Sequence, residues 1–160
     1  MPDKGNDTDD DANAPLPRMS KEKAEEWAKH WTVSMARTAK AEIEPETDPD
    51  LPAAKFTNCI GKNNESADDG RFTLRYSVRA KLPQPQHADA LYAVRDALKE
   101  QGLEIQDFRT DPKVSPPNLL YAKHPKDQQF ISVRDSDEEH LVLIVSTPCL
   151  LPPDAEQKQF

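Results

Sequence analysis

The chain has 160 residues, a formal net charge of −8 and 36% apolar residues. This length gives one domain plus a tail, and an acidic balance with no basic block argues against a nucleic-acid partner. No window approaches the run of about eighteen apolar residues that a membrane-spanning helix needs.

Leu, Ile, Val and Phe total 30 residues, just under the share at which disorder becomes a live reading. Their distribution favours a fold, because 23 of them fall between Arg71 and Leu151. The core is therefore expected in the second half of the chain.

Residues 1–18 are polar, acidic and proline-containing, with Asp3, Asp7, Asp9, Asp10 and Asp11 against Lys4. Such a segment buries too little surface to offset its ordering entropy, so it is expected to be a disordered tether. Ser20 suits a helix N-cap. Ala24, Trp27, Ala28, Trp31, Met35 and Ala39 then recur at spacings of three and four, which predicts an amphipathic helix packed on its own domain. Pro45, Pro49 and Pro52 mark an extended connector. A short strand is expected around Cys59, over Phe56 to Ile60, followed by a polar loop from Lys62 to Gly70.

Phe72, Leu74, Tyr76, Val78 and Ala80 alternate with Thr73, Arg75, Ser77 and Arg79, the clearest strand in the chain. Gln86 to Gln101 predicts a second helix, with Gly102 at its left-handed C-cap. Strands are expected over Leu103–Phe108, Asn118–Lys123, Gln129–Arg134 and His140–Thr147, joined by turn-like connectors. The first of these closes a β-α-β unit whose two strands run parallel if they share a sheet. The expected fold is α+β, of order α-β-α-β-β-β-β. Its sheet is mixed but mainly antiparallel, with about four to five strands and two helices on one face. Residues 19–153 form the single domain, and 154–160 a flexible tail.

Cys59 and Cys149 are the only cysteines. No CxxC pair and no histidine stands at metal-ligand spacing, so no metal site is expected. Two readings stand, two free thiols or a bridge; the bridge is favoured because it would pin the N-terminal segment to the end of the last strand. Closing so long a loop stabilises by about 4–5 kcal/mol in the chain-entropy model, comparable to the whole net stability of a small domain. It also requires an oxidising compartment. No charged and then apolar stretch follows Met1, so no export signal is visible. At face value that indicates cytoplasm; the cysteines favour a mature chain whose signal has been removed.

From Cys59 to Pro153 the sequence resembles small secreted proteins and lipoproteins of actinobacteria. The shared features are Phe56-Thr57-Asn58-Cys59 before a Tyr-containing alternating strand, Leu91-x-x-Val94-Arg95-Asp96-x-Leu98 with Gly102 after it, and Val145-Ser146-Thr147-Pro148-Cys149-Leu150-Leu151-Pro152-Pro153. The resemblance implies an envelope protein, held to the membrane only through a lipid on an N-terminal cysteine that this chain lacks. It carries over no catalytic motif.

His30, His87, His124 and His140 adjoin no nucleophile motif and read as surface residues. The four glycines do not cluster as a phosphate loop requires. Asp135, Asp137 and Glu139 alternate as calcium ligands might, but without the central glycine of such a loop. No cofactor is expected, and the chain is not expected to be an enzyme. Arg71, Arg75 and Arg79 line the polar side of the alternating strand, a cationic stripe in an acidic protein. They are the candidate partner-binding residues, unless they only pair with acidic neighbours across the sheet. The expected function is a non-catalytic, envelope-associated protein-interaction module; the alternative is a small-ligand binder with a pocket between helix and sheet.

Overall fold

A computed structural model describes residues 15–46, 49–60 and 66–158. Helix α1 (Lys21–Ala39) starts at Ser20, whose hydroxyl accepts from Lys23 N, and ends at Lys40 in the left-handed region. Its stripe faces inward as the spacing predicts. Ala24, Ala28, Met35 and Ala39 are buried, with Thr32 and Ala36 beside them, and Trp27 and Trp31 are packed half-buried against the core.

Among the described residues the sheet has seven strands: β1 (Glu42–Ile43), β2 (Ala54–Asn58), β3 (Phe72–Lys81), β4 (Glu104–Thr110), β5 (Asn118–Lys123), β6 (Phe130–Asp137) and β7 (His140–Ser146). It is larger than the four to five strands expected. The additional pairing flanks the proline-rich connector: β1 lies just before it, and β2 overlaps the short strand expected over Phe56 to Ile60 but sits two residues earlier and ends before Cys59. β1 and β2 both pair antiparallel with the outer edge of β3, and between them Ala53 O accepts from Ser77 N. The edge of β3 is thus closed by two short strands, which protects it from pairing with another chain.

Across the sheet the order is β1-β3-β7-β6-β5-β4, and every neighbouring pair is antiparallel. Four antiparallel steps separate β3 from β4, so the two run parallel, but at a distance and not as neighbours. The crossover between them is helix α2 (His87–Glu100), preceded by a 3-10 turn at Gln84–Gln86. Gly102, at φ +91°, closes α2. Its N–H bonds Lys99 O, and Leu103 N bonds Leu98 O, the paired bonds of a glycine-terminated helix end.

Both helices pack on one face of the sheet and on each other. The core between them holds Leu74, Leu120, Ile131, Val133, Leu141, Leu143 and Val145 from the strands, with Leu91, Val94 and Leu98 from α2. The apolar run Leu141–Val145 forms β7, which pairs on both sides.

Cys59 and Cys149 form a disulfide that joins the chain just after β2 to the chain just after β7, 90 residues apart. Nearby, Leu151 N bonds Pro17 O and Met19 N bonds Leu151 O. Most of the expected acidic tether lies outside the described residues, but its last residues are attached here. The C-terminal segment is also engaged: Ala155 O accepts from Arg18 Nη1, and Lys158 N donates to Asp69.

Candidate partner-binding face

The alternation of β3 places Phe72, Leu74 and Tyr76 against the helices. Thr73, Arg75, Ser77 and Arg79 point to the opposite face, over which neither helix lies. The three arginines expected to line that face have three different fates.

Arg71 is not on the open face. It precedes the strand and is 3% exposed. Its guanidinium clasps Asp69 through Nε at 2.9 Å and Nη2 at 2.6 Å, and Nη2 also donates to Lys158 O. The alternation that sets the other two does not extend to it, because Arg71 lies in the turn that leads into β3. Hydrogen bonds from Arg71 hold the Asp69 carboxyl far below the usual carboxylate range, against the opposing effect of burial. Arg71 therefore acts as an internal brace and is withdrawn from the candidate site.

Arg79 is on the open face but is paired. Its Nη2 donates to Asp137 at 2.5 Å and lies 3.0 Å from His140 Nδ1. His140 in turn reaches Asp137 and, through Nε2, Glu44 at 2.9 Å. The Asp137 hydrogen bond, then that of Glu44, raises the His140 pKa. The Asp137 pKa is lowered, first by the Glu139 N–H and then by His140. This cluster ties β1 to the β6–β7 turn.

Arg75 is exposed and meets no carboxylate among the described residues. Its neighbours come from other strands. The register sets Arg75 opposite Ser146, and Ser146 opposite Phe130; two residues along, Ser77 faces Ile144, which faces Ser132, which faces Tyr121. One further step brings Arg134 beside Leu119. Arg134 is also exposed and has no ion pair among the described residues.

Between Arg75 and Arg134 the side chains of Leu119, Tyr121, Phe130 and Ile144 line a depression of about 310 Å³. The Tyr121 and Phe130 rings meet at a tilt of 50° with 5.5 Å between ring centres, and Lys123 Nζ lies 5.5 Å over the Phe130 ring. The candidate site is therefore a diagonal across β3, β7, β6 and β5 and not a stripe along β3. Arg134, Tyr121, Phe130 and Ile144 were absent from the sequence-based candidates. The signal that could have found them is the same period-2 alternation in Leu119-x-Tyr121-x-Lys123 and Phe130-x-Ser132-x-Arg134. What joins them to Arg75 is strand order.

The other polar candidates are distributed through the fold. His87, expected at the surface, is fully buried. Its Nδ1 meets Asp135 at 2.5 Å and its Nε2 meets Leu82 O at 2.6 Å. Asp135 also accepts from Asn118 N and Nδ2, so it fastens the start of α2 and the start of β5 to β6. His124 Nδ1 accepts from Lys126 N and Asp127 N in the β5–β6 turn. Asp135 and Asp137, two of the three carboxylates that alternate like calcium ligands, thus serve separate partners. Among the described residues no group of three acidic, His or Cys side chains is placed to hold a metal ion. No helix among them is long and apolar enough to cross a membrane.

No protein-family model, curated protein or solved structure matches this chain.

Proposed function

We propose that this chain is a non-catalytic, extracytoplasmic module that binds an acidic protein partner through the open face of its sheet. The observation that carries the reading is the pair Arg75 and Arg134, two exposed cations without acidic partners among the described residues, on a face that neither α1 nor α2 covers, in a protein of net charge −8. A cationic patch on an acidic protein favours an acidic surface and steers its approach. The Cys59–Cys149 disulfide supports an oxidising compartment. The resemblance to actinobacterial secreted proteins and lipoproteins supports the cell envelope as that compartment, with a lipid anchor outside this chain. The structural work done by His87, His124 and His140 supports a non-catalytic role.

The test is capture from a native envelope extract by the parent and by the Arg75→Glu/Arg134→Glu variant. The expected result is that the variant stays folded by circular dichroism and loses the captured protein, with the loss mainly in association rate and sensitive to salt. Capture of the same proteins by both would refute the reading.

A second reading rests on a different observation. A cavity of about 590 Å³ lies beside Trp27, walled by Leu16, Met19, Gln129, Pro148 and Leu150. Its size and apolar walls suit a small apolar ligand held between α1 and the end of the sheet. Titration with a fluorescent apolar probe, followed by energy transfer from Trp27, tests it; a Trp27→Phe variant separates that signal from Trp31.

A further inference from the structure

The depression between Arg75 and Arg134 constrains what the partner presents, an inference that rests on the reading above. From the register, Arg75 and Arg134 stand two strand steps apart, roughly 10 Å, and four residues along, about 13 Å. Between them the apolar side chains Tyr121, Phe130 and Ile144 form a recess for one side chain. Tyr121 is 38% exposed there, with its ring tilted against Phe130. A cation at each end of an apolar recess is complementary to an apolar side chain with a carboxylate on either side.

In an extended segment, side chains two apart share a face, so positions i−2, i and i+2 point the same way and the outer pair stands about 13 Å apart. The two components combine to about 16 Å between the arginine backbones, and the roughly 13 Å span of the peptide is reached once the flexible arginine stems lean inward by about 3 Å in all. We infer that the open face binds an extended acidic segment of a protein, in the pattern acid-x-apolar-x-acid, with the central side chain in the recess and the two carboxylates on Arg75 and Arg134. Lys123, over Phe130, and Lys55, opposite Arg75 on β2, extend the cationic field along the same row. Acidic groups also border this face: Asp137 is bound to Arg79, Glu104 stands opposite Lys123 and Asp107 opposite Tyr121 on the edge strand β4, and Asp50 lines a neighbouring depression with Lys55 and Arg75, so the recess is cationic at Arg75 and Arg134 and not along its β4 side.

The experiment uses the full chain and three capped, fluorescently labelled peptides, read by anisotropy at low salt. The probe is Glu-Ser-Phe-Ser-Glu. One control replaces its phenylalanine with glycine; the other, Glu-Glu-Phe-Ser-Ser, keeps the composition and loses the spacing. The probe is expected to bind at least tenfold tighter than either control. Arg134→Glu should weaken it at least tenfold, and Tyr121→Ser should remove the preference for phenylalanine over glycine. Both variants are checked by circular dichroism and melting.

Equal binding of the probe and the two controls overturns the inference yet leaves an acidic partner in place, since charge alone then suffices. Binding to phosphatidylglycerol vesicles without binding to the probe overturns it in favour of a lipid surface. No binding to any peptide, together with envelope capture that ignores Arg75→Glu/Arg134→Glu, overturns both this inference and the reading beneath it.

Discussion

The two faces of β3 share one backbone and differ in everything else. Toward the helices, Phe72 and Leu74 are each 1% exposed and belong to one continuous core. Toward solvent, Thr73, Arg75, Ser77 and Arg79 meet short-range polar partners or none: Thr57 and Thr73 share a hydrogen bond, and Arg79 holds Asp137. The covered face is fixed by volume, and every change there leaves or fills a cavity. The open face is fixed by little beyond strand register, so it is free to carry recognition. Arg71 sharpens the contrast, because four residues before Arg75 the same side chain is buried, bonded to a carboxylate and structural.

Four measurements break or sharpen this comparison, the largest effect first. Reducing Cys59–Cys149 opens a closed loop of about ninety residues that ties β2 to the end of β7. In the chain-entropy model the loss is about 4–5 kcal/mol, seen as a marked drop in the denaturant midpoint after reduction and alkylation. An unchanged midpoint would mean that packing and strand pairing alone hold the ends of β2 and β7 in place.

Asp69→Asn should cost about 3–5 kcal/mol near neutral pH, because it leaves the Arg71 guanidinium buried without its counter-charge. The Asp69 carboxyl is depressed in the folded state. Its stabilisation is therefore full above the unfolded value of about 4 and is lost as pH falls from there through the folded value. The parent should lose stability over that acid range more steeply than Asp69→Asn, measured by denaturant titration at stepped pH. Parallel curves would remove Asp69 as the source of the acid sensitivity.

Leu74→Ala on the covered face should cost about 2–5 kcal/mol, whereas Arg75→Glu on the open face should stay within about 1 kcal/mol. Chemical denaturation of the two variants compares the faces on one strand, and similar losses would show that the open face is also structural. The smallest effect is at His140. Its pKa is raised in the folded state by Asp137 and Glu44, so its contribution is full below the unfolded value of about 6.5 and disappears as pH rises through the folded value. NMR titration of the imidazole should show a raised pKa in the parent and a fall toward the ordinary value in Asp137→Asn; no change would detach this cluster from the β6–β7 turn.

The sequence alone determined the elements whose signal is local. Stereochemistry and burial dictate the period in α1, the alternation in β3, the boundaries of β5 and the glycine ending α2, and all of these can be read along the chain. It also indicated the α+β class and left one possible disulfide, Cys59–Cys149, open beside two free thiols; the structure forms the bridge. The tertiary structure decided what depends on partners distant in sequence. β1 exists as a strand because the edge of β3 offers it hydrogen bonds, not because two residues carry a period, and the same edge sets β2 at Ala54–Asn58 where the sequence placed a strand over Phe56 to Ile60. His87 is buried because Asp135, 48 residues away, receives it. The candidate site moved from Arg71, Arg75 and Arg79 on one strand to Arg75 and Arg134 on two, since alternation tells which side of a strand a residue faces, while strand order alone tells which residues share that side with it.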